Sequence, residues 1–276
     1  MDTIVFGDGN LGRAIAGALV AAGDSPRVLG RPADGRHAAA DVAGARLAFE
    51  ASRAASVLPN VEVALAGGCR RFVIGTTAWD ADRAAVEASL REHGAAAVAA
   101  PNLSPGVAVF LRLVESADEA LAALGGFEPY LLEWHRRGKA DRPSGTAREI
   151  ARRLAPTRSP GGGAGLEVVS IRAGSSPGMH LVAFDAPGET LELRLTARDR
   201  SAYAAGALLA ADWLARSERA AGLHSFEEVV DELLCGGVGD PSKRRAVVAR
   251  RDGPPAVLPA ARPGRRGRTQ SPGAAR

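Results

Sequence analysis

The sequence predicts an α/β fold: a doubly wound parallel sheet joined to an α+β region with a mixed or antiparallel sheet. Three observations carry this. Short β-favouring runs alternate with amphipathic helical stretches over the first hundred residues. A glycine-rich loop sits between the first strand and the first helix. After Gly125-Gly126 the apolar pattern shifts to a period of two, which marks strands with one buried and one wet face.

The elements follow in order. Thr3-Ile4-Val5-Phe6 reads as the first strand, and Leu11, Ile15 and Leu19 recur four apart on a helix stopped by Gly23. Val28-Leu29-Gly30, Arg46 to Phe49, Arg71 to Ile74 and Ala96 to Ala100 read as further strands, with helices from Ser56 to Leu65 and Asp80 to His93. Ser104-Pro105 pairs a helix N-cap with proline in the first turn and opens a helix to Leu124. Tyr130 to Trp134, Leu166 to Arg172, His180 to Phe184 and Thr190 to Thr196 then read as strands, with Pro187-Gly188 as a turn. In the last strand Leu191, Leu193 and Leu195 alternate with Glu192, Arg194 and Thr196, which predicts a buried leucine face. Helices over Ala202 to Arg216 and Ser225 to Leu234 close the pattern. The expected organisation is a first domain over 1–104 completed by helices in 202–234, a second over 105–201, and a disordered basic tail over 235–276.

Charge first misleads. The 276 residues carry 35 Lys+Arg against 31 Asp+Glu, a net charge of +4. Ten of those basic residues and only two acids lie after Leu234, so the preceding body has 25 basic and 29 acidic residues, a net −4. The tail lacks aromatics to stack bases, so nucleic acid is not the expected partner. No apolar run reaches about 18 residues, which excludes a membrane span, and no signal-like leader is seen, so the expected location is cytoplasmic. Cys69 and Cys235 form neither a disulfide framework nor a CxxC pair, and no metal site is expected. Only two of the basic residues are lysines, Lys139 and Lys243. In a chain that uses Arg almost everywhere, Lys139 marks a position where an ammonium able to give up its proton is needed.

The loop Gly7-Asp8-Gly9-Asn10-Leu11-Gly12 has the strand–loop–helix context of a Rossmann-type dinucleotide site. The first glycine allows the turn, the second the approach of a pyrophosphate, and the third close helix–strand packing. Helix N–H groups and the helix dipole favour phosphate there. Where an acid would hold the ribose of NAD, the chain reads Leu29-Gly30-Arg31-Pro32, so Arg31 is the candidate partner of the 2′-phosphate of NADPH.

The richest stretch runs from Glu133 to Ala147: Glu133-Trp134-His135-Arg136-Arg137-Gly138-Lys139-Ala140-Asp141-Arg142-Pro143-Ser144-Gly145-Thr146-Ala147. Ser144 is placed to cap a helix whose first N–H groups, Gly145 and Thr146, join nearby cations in a carboxylate site. His135 and Lys139, four residues apart, supply proton-transfer groups.

This stretch resembles the E-x-H-H-x-x-K-x-D-x-P-S-G-T-A signature of the dihydrodipicolinate reductase family, also called 4-hydroxy-tetrahydrodipicolinate reductase. Gly75-Thr76-Thr77 is similar to the family's G-T-T cofactor contact, and Ala100-Pro101-Asn102-Leu103-Ser104 to its A-x-N-F-S segment. Arg172-Ala173-Gly174, Gly178 and His180 resemble its R-x-G…G-x-H strand pair, and Arg200 falls in its S-R-x-x-(F/Y)-x-x-G-A segment. The resemblance covers residues 1–234. It implies proton transfer by His135 and Lys139, and substrate binding by Arg136, Ser144, Gly145, Thr146 and Arg200. It implies cofactor binding by the 7–12 loop, Arg31, 75–77 and 100–103. The implied reaction is hydride transfer from NADH or NADPH to C4 of a cyclic dicarboxylate with release of water, on the diaminopimelate–lysine route, in a homotetramer built through the second sheet. Three positions depart from the signature: Arg136 replaces a histidine, Gly138 a bulkier residue, and Glu50-Ala51-Ser52 the D-F-(S/T) segment. The alternatives to this reading are a paralogue reducing another cyclic imine or dicarboxylate, and a non-catalytic nucleotide sensor.

Overall fold

The structure is a computed structural model that describes residues 3–32, 36–154 and 166–238. Met1–Leu233 forms one compact unit, and Leu234–Arg276 groups apart from it. The unit holds two sheets. The first has six parallel strands in the order β10-β5-β4-β3-β1-β2. These are β1 (Thr3–Phe6), β2 (Arg27–Leu29), β3 (Leu47–Glu50), β4 (Arg71–Ile74), β5 (Ala96–Ala99) and β10 (Gly222–His224). Parallel strands need crossovers, and helices α1 (Asn10–Ala21), α2 (Ala39–Val42), α3 (Val57–Ala66) and α4 (Arg83–Glu92) supply them.

Alternation within each strand splits the core of this sheet in two. Val5, Phe49, Val73 and Val98 point to one face and pack on Ile15 and Leu19 of α1, on Ala207 and Ala210 of α7 (Ser201–Arg216), and on Phe226 and Val229 of α8 (Phe226–Val238). Ile4, Phe6, Phe72 and Ile74 face the other way, against Val61 and Leu65 of α3 and Val86 and Leu90 of α4. Each fully buried Phe or Ile contributes about 1.5–3 kcal/mol relative to exposure, so the two-faced pattern secures the register.

The second sheet is mixed, in the order β7-β6-β8-β9. Strand β6 (Glu128–His135) runs parallel to β7 (Glu167–Arg172) and antiparallel to β8 (Met179–Ala186), which pairs antiparallel with β9 (Glu189–Thr196). Leu131, Val182 and Phe184 pack from its inner face on Phe110, Leu111 and Val114 of α5 (Pro105–Leu124), and on Ala147, Ile150 and Leu154 of α6 (Gly145–Leu154).

The predicted fold class stands, with local differences. Helix α2 and strand β10 are too short to show periodicity; β10 owes its strand character to pairing with Ala96–Val98. On the edge strand β9 only Leu193 and Leu195 pack on the core, and Leu191 stays 43% exposed. Helix α8 continues past Leu234 to Val238, so the expected tail begins with four helical residues. The remainder of the predicted tail, 239–276, lies outside the described residues. Among the described residues no helix is long and apolar enough to cross a membrane.

Candidate active site

The residues singled out from the sequence fall into two main groups, one at the carboxyl ends of the parallel strands and one at the end of β6. At the first, the chain turns at Gly7 with a φ of +100°, and a Cβ there would stand 2.5 Å from the carbonyl of Ala51. A Cβ on Gly12 would fall 1.9 Å from the Gly7 carbonyl, while one on Gly9 would meet nothing within 4 Å. The first and third glycines therefore close the turn, and the second leaves open space. Helix α1 begins at Asn10 with no side-chain cap, so its first N–H groups are available to phosphate. A cleft opens beside this turn, lined by Asp8, Arg31, Ser52, Arg53, Ser56 and Asn60 among others. Sequence reading named Arg31 and Asp8 but missed Arg53, which the loop after β3 brings to the same cleft.

The other expected cofactor segments gather next to this loop. A Cβ on Gly75 would stand 3.0 Å from Leu11 and 3.2 Å from Leu103, so three segments far apart in sequence converge there. Thr76 is buried and its hydroxyl donates to the Glu50 carboxylate at 3.1 Å, whereas Thr77 is exposed. In the 100–103 segment, Ala100 N donates to the Ile74 carbonyl at 3.1 Å, Pro101 is exposed and Leu103 is buried. Asn102 faces two ways: its Oδ1 accepts from Ser104 N at 2.9 Å, and its Nδ2 reaches Thr146 Oγ1 at 3.5 Å. That contact links the parallel sheet to the first turn of α6.

The second group is built around Glu133, which is fully buried. Leu131, Glu133 and His135 alternate onto the inner face of β6, and the register places Ser170 and Arg172 of β7 and His180 of β8 beside them. The Glu133 carboxylate accepts from Ser170 Oγ at 2.6 Å, Arg172 at 2.7 Å and Ser144 N at 3.0 Å. Burial alone would raise its pKa; the donors, Ser144 and Ser170 first and Arg172 with them, outweigh burial and hold it at about 2. Its other oxygen stands 3.4 Å from His135 Nδ1 and 3.7 Å from His180 Nε2. The two imidazoles meet edge to face with centroids 5.2 Å apart.

Both histidines are held below their ordinary range, chiefly by burial. For His180 the neighbouring His135 adds to burial, Glu133 opposes both, and the result is about 4. For His135 the Glu133 charge opposes burial, and Lys139 and Arg172 reinforce it. At neutral pH both rings are neutral. Glu133, His135 and His180 bring three potential metal-ligand atoms within 4.8 Å of one another. The same carboxylate is already committed to Arg172, Ser170 and Ser144, so the cluster reads as a hydrogen-bonded network.

Ser144 caps α6, its Oγ accepting from Ala147 N at 3.1 Å and lying 3.2 Å from His180 Nε2. It is buried with its polar atoms bonded inside the protein. Lys139 pairs with Asp141 at 2.7 Å and is part-exposed. Asp141 sits below the ordinary carboxylate range because of Lys139, with the Gly145 N–H also contributing. Gly145 and Thr146 form the first turn of α6. Arg136 is exposed on the loop between His135 and Lys139. Arg200 holds its guanidinium 5.2 Å from the Tyr203 ring at the start of α7. The structure thus gathers His135, Lys139, Ser144, Gly145 and Thr146 and shows no contact between Arg200 and them. Sequence reading assigned no role to Glu133, Ser170, Arg172 or His180. A carboxylate on the apolar face of a strand was the available signal.

The chain has counterparts among known proteins. The family model described as dihydrodipicolinate reductase, C-terminus, matches residues 106–230. The 4-hydroxy-tetrahydrodipicolinate reductase of Wolinella succinogenes is 36% identical over 188 residues, 62% of this chain and 70% of that protein. The enzyme of the same name from Methanococcoides burtonii is 32% identical over 178 residues, 60% of this chain and 66% of its own length. In fold, the chain is similar to a dipicolinate-bound dihydrodipicolinate reductase from Paenisporosarcina sp. TG-14, with a TM-score of 0.63, 18% identity, and coverage of 83% of this chain and 99% of that one. The chain belongs to the dihydrodipicolinate reductase (4-hydroxy-tetrahydrodipicolinate reductase) family of oxidoreductases.

Proposed function

We propose that this protein reduces 4-hydroxy-tetrahydrodipicolinate to tetrahydrodipicolinate with a nicotinamide dinucleotide, in diaminopimelate and lysine biosynthesis. The observation that carries the reading is the link between the two groups: Asn102, at the end of β5, reaches Thr146, in the first turn of the helix that Ser144 caps. It supports a reading in which the cofactor and the substrate meet between these two groups. A bound dihydronicotinamide supplies the hydride. The chain's own part is binding, orientation and proton handling.

The open space at Gly9 and the uncapped start of α1 fit a pyrophosphate. Leu11, Gly75 and Leu103 form the floor beyond it. Arg31 and Arg53 in the cleft support a preference for NADPH, since two guanidiniums suit a 2′-phosphate.

On the substrate side, the N–H groups of Gly145 and Thr146 and the positive end of α6 receive one carboxylate, and Arg136 is positioned for the other. Lys139 is the ammonium that donates a proton. His135, neutral at pH 7, accepts and returns one. Ser144 and Glu133 act by positioning, because their polar atoms are already bonded inside the protein.

Self-assembly belongs to the same reading. The outer face of the second sheet pairs Trp134 with Ile171 and Leu132 with Val169, and Trp134, Ile171 and Val169 are 36–42% exposed. A continuous apolar face of this kind suits a second copy of the chain, in line with a homotetramer.

The decisive assay supplies the condensation product of pyruvate and aspartate semialdehyde with NADPH and follows loss of cofactor absorbance. Turnover is expected. Tight NADPH binding without turnover on that substrate transfers the protein to a different imine or dicarboxylate.

A further inference from the structure

We propose that Glu50 is a positioning residue for the dinucleotide: its buried carboxylate ties the loops after β3 and β4 to helix α3 and so shapes one wall of the nucleotide cleft. The inference rests on the dinucleotide reading of that cleft and assigns it a determinant that touches no cofactor itself.

Glu50 ends β3 and is 1% exposed. Its backbone carbonyl accepts from Gly75 N at 2.9 Å and Thr76 N at 3.2 Å. One carboxylate oxygen accepts from Ser52 N at 2.9 Å, from the Ser52 hydroxyl and from Thr76 Oγ1 at 3.1 Å. The other accepts from Asn60 Nδ2 at 2.8 Å. Four donors from three segments therefore converge on one side chain. Ser52 and Asn60 line the cleft, and Gly75 lies against Leu11 of the glycine loop.

A carboxylate in this position is costly to keep. Burial pushes it up to about 7, against the pull of Ser52, Asn60 and Thr76. Packing alone would be served as well by an apolar side chain, as it is at Phe49 and Ile74 on either side. What an apolar side chain cannot do is hold an N–H, two hydroxyls and an amide at once. Those donors belong to the segments that meet the dinucleotide, and neither His135 nor Lys139 is among them.

The test compares the full-length wild type with Glu50→Gln and Glu50→Asp. Three quantities are read: NADPH affinity by nicotinamide fluorescence, KM for each substrate, and Tm. Gln keeps the volume but presents an amide N–H₂ where an acceptor stood, and the expected result is a roughly tenfold loss of NADPH affinity, equivalent to about 1.4 kcal/mol. KM for the dicarboxylate and kcat at saturating NADPH stay within about twofold, a split that a general loss of stability does not produce. Glu50→Asp, with the charge kept and the reach shortened, falls between. NADPH affinity in Glu50→Gln within about twofold of wild type, whatever its Tm, overturns the proposal. If Glu50→Gln does not fold, unchanged affinity in Glu50→Asp overturns it equally. Wild-type protein that binds neither NADPH nor NADH overturns the cofactor reading and this role with it, an outcome distinct from a variant that matches a binding wild type.

Discussion

Nδ1 of His135 stands 3.4 Å from the buried carboxylate of Glu133 and makes no hydrogen bond. A carboxylate at that edge favours the tautomer with the proton on Nδ1 and leaves Nε2 as the basic atom. The Nε2 edge faces Gly178, where a Cβ would stand 3.1 Å away. In the proposed function Nε2 is then the proton-transfer atom, with an ion-paired carboxylate on one side of the ring and a missing side chain on the other.

Replacing Glu133 by Gln should therefore do two things. It leaves the Arg172 guanidinium buried without its countercharge, a loss of about 3–5 kcal/mol that denaturant unfolding reads directly. It also releases the tautomer, so kcat falls and the pH–rate profile shifts. A variant with wild-type stability would show that the Arg172 pair contributes nothing.

Lys139→Ala should lower kcat by at least about 100-fold, the scale of one general acid–base group. Lys139→Arg should not restore it, because guanidinium does not release its proton near neutral pH. Activity in the Arg variant close to wild type would reduce Lys139 to a source of charge.

Acid should act on the stability of the fold through groups of opposing sign. His180 is held at about 4 in the folded protein, against about 6.5 unfolded, so the unfolded chain binds more protons between those values and stability falls as pH drops through them. Glu133, held at about 2, contributes stability above about 4.5 that is lost as pH falls toward 2. Glu50 has the opposite sign between about 4.5 and 7, so the His180 share is isolated by difference. Relative to wild type, His180→Asn should gain stability as pH drops from 6.5 to 4. Equal slopes in urea titrations at pH 6.5, 5.5 and 4.5 would contradict it.

Gly9→Ala and Gly12→Ala should separate binding from folding. The Gly9 Cβ meets nothing, so that variant should keep its Tm and lose dinucleotide affinity through contact with the pyrophosphate. The Gly12 Cβ would collide with the Gly7 carbonyl, so that variant should lose both. Unimpaired NADPH binding by Gly9→Ala would remove the pyrophosphate from this loop.

Local chemistry made much of this legible from sequence. The turn at Gly7–Gly12, the Ser104-Pro105 start of α5 and the Ser144 cap of α6 depend on neighbouring residues alone. So do the strand alternations that separate inner from outer faces. Lys139 stood out by composition, and the stretch around it carried the family resemblance. What the chain could not disclose was which distant residues share a neighbourhood. Ser170, Arg172 and His180 surround Glu133 only because β7 and β8 pair with β6 in one register. Arg53 and Asn60 reach the nucleotide cleft, and Thr76 reaches Glu50, only because parallel strands end side by side. Side-chain periodicity and capping are properties of a few adjacent residues. Burial, ion pairing and the pKa values that follow from them belong to the packed molecule, and tertiary structure decided them.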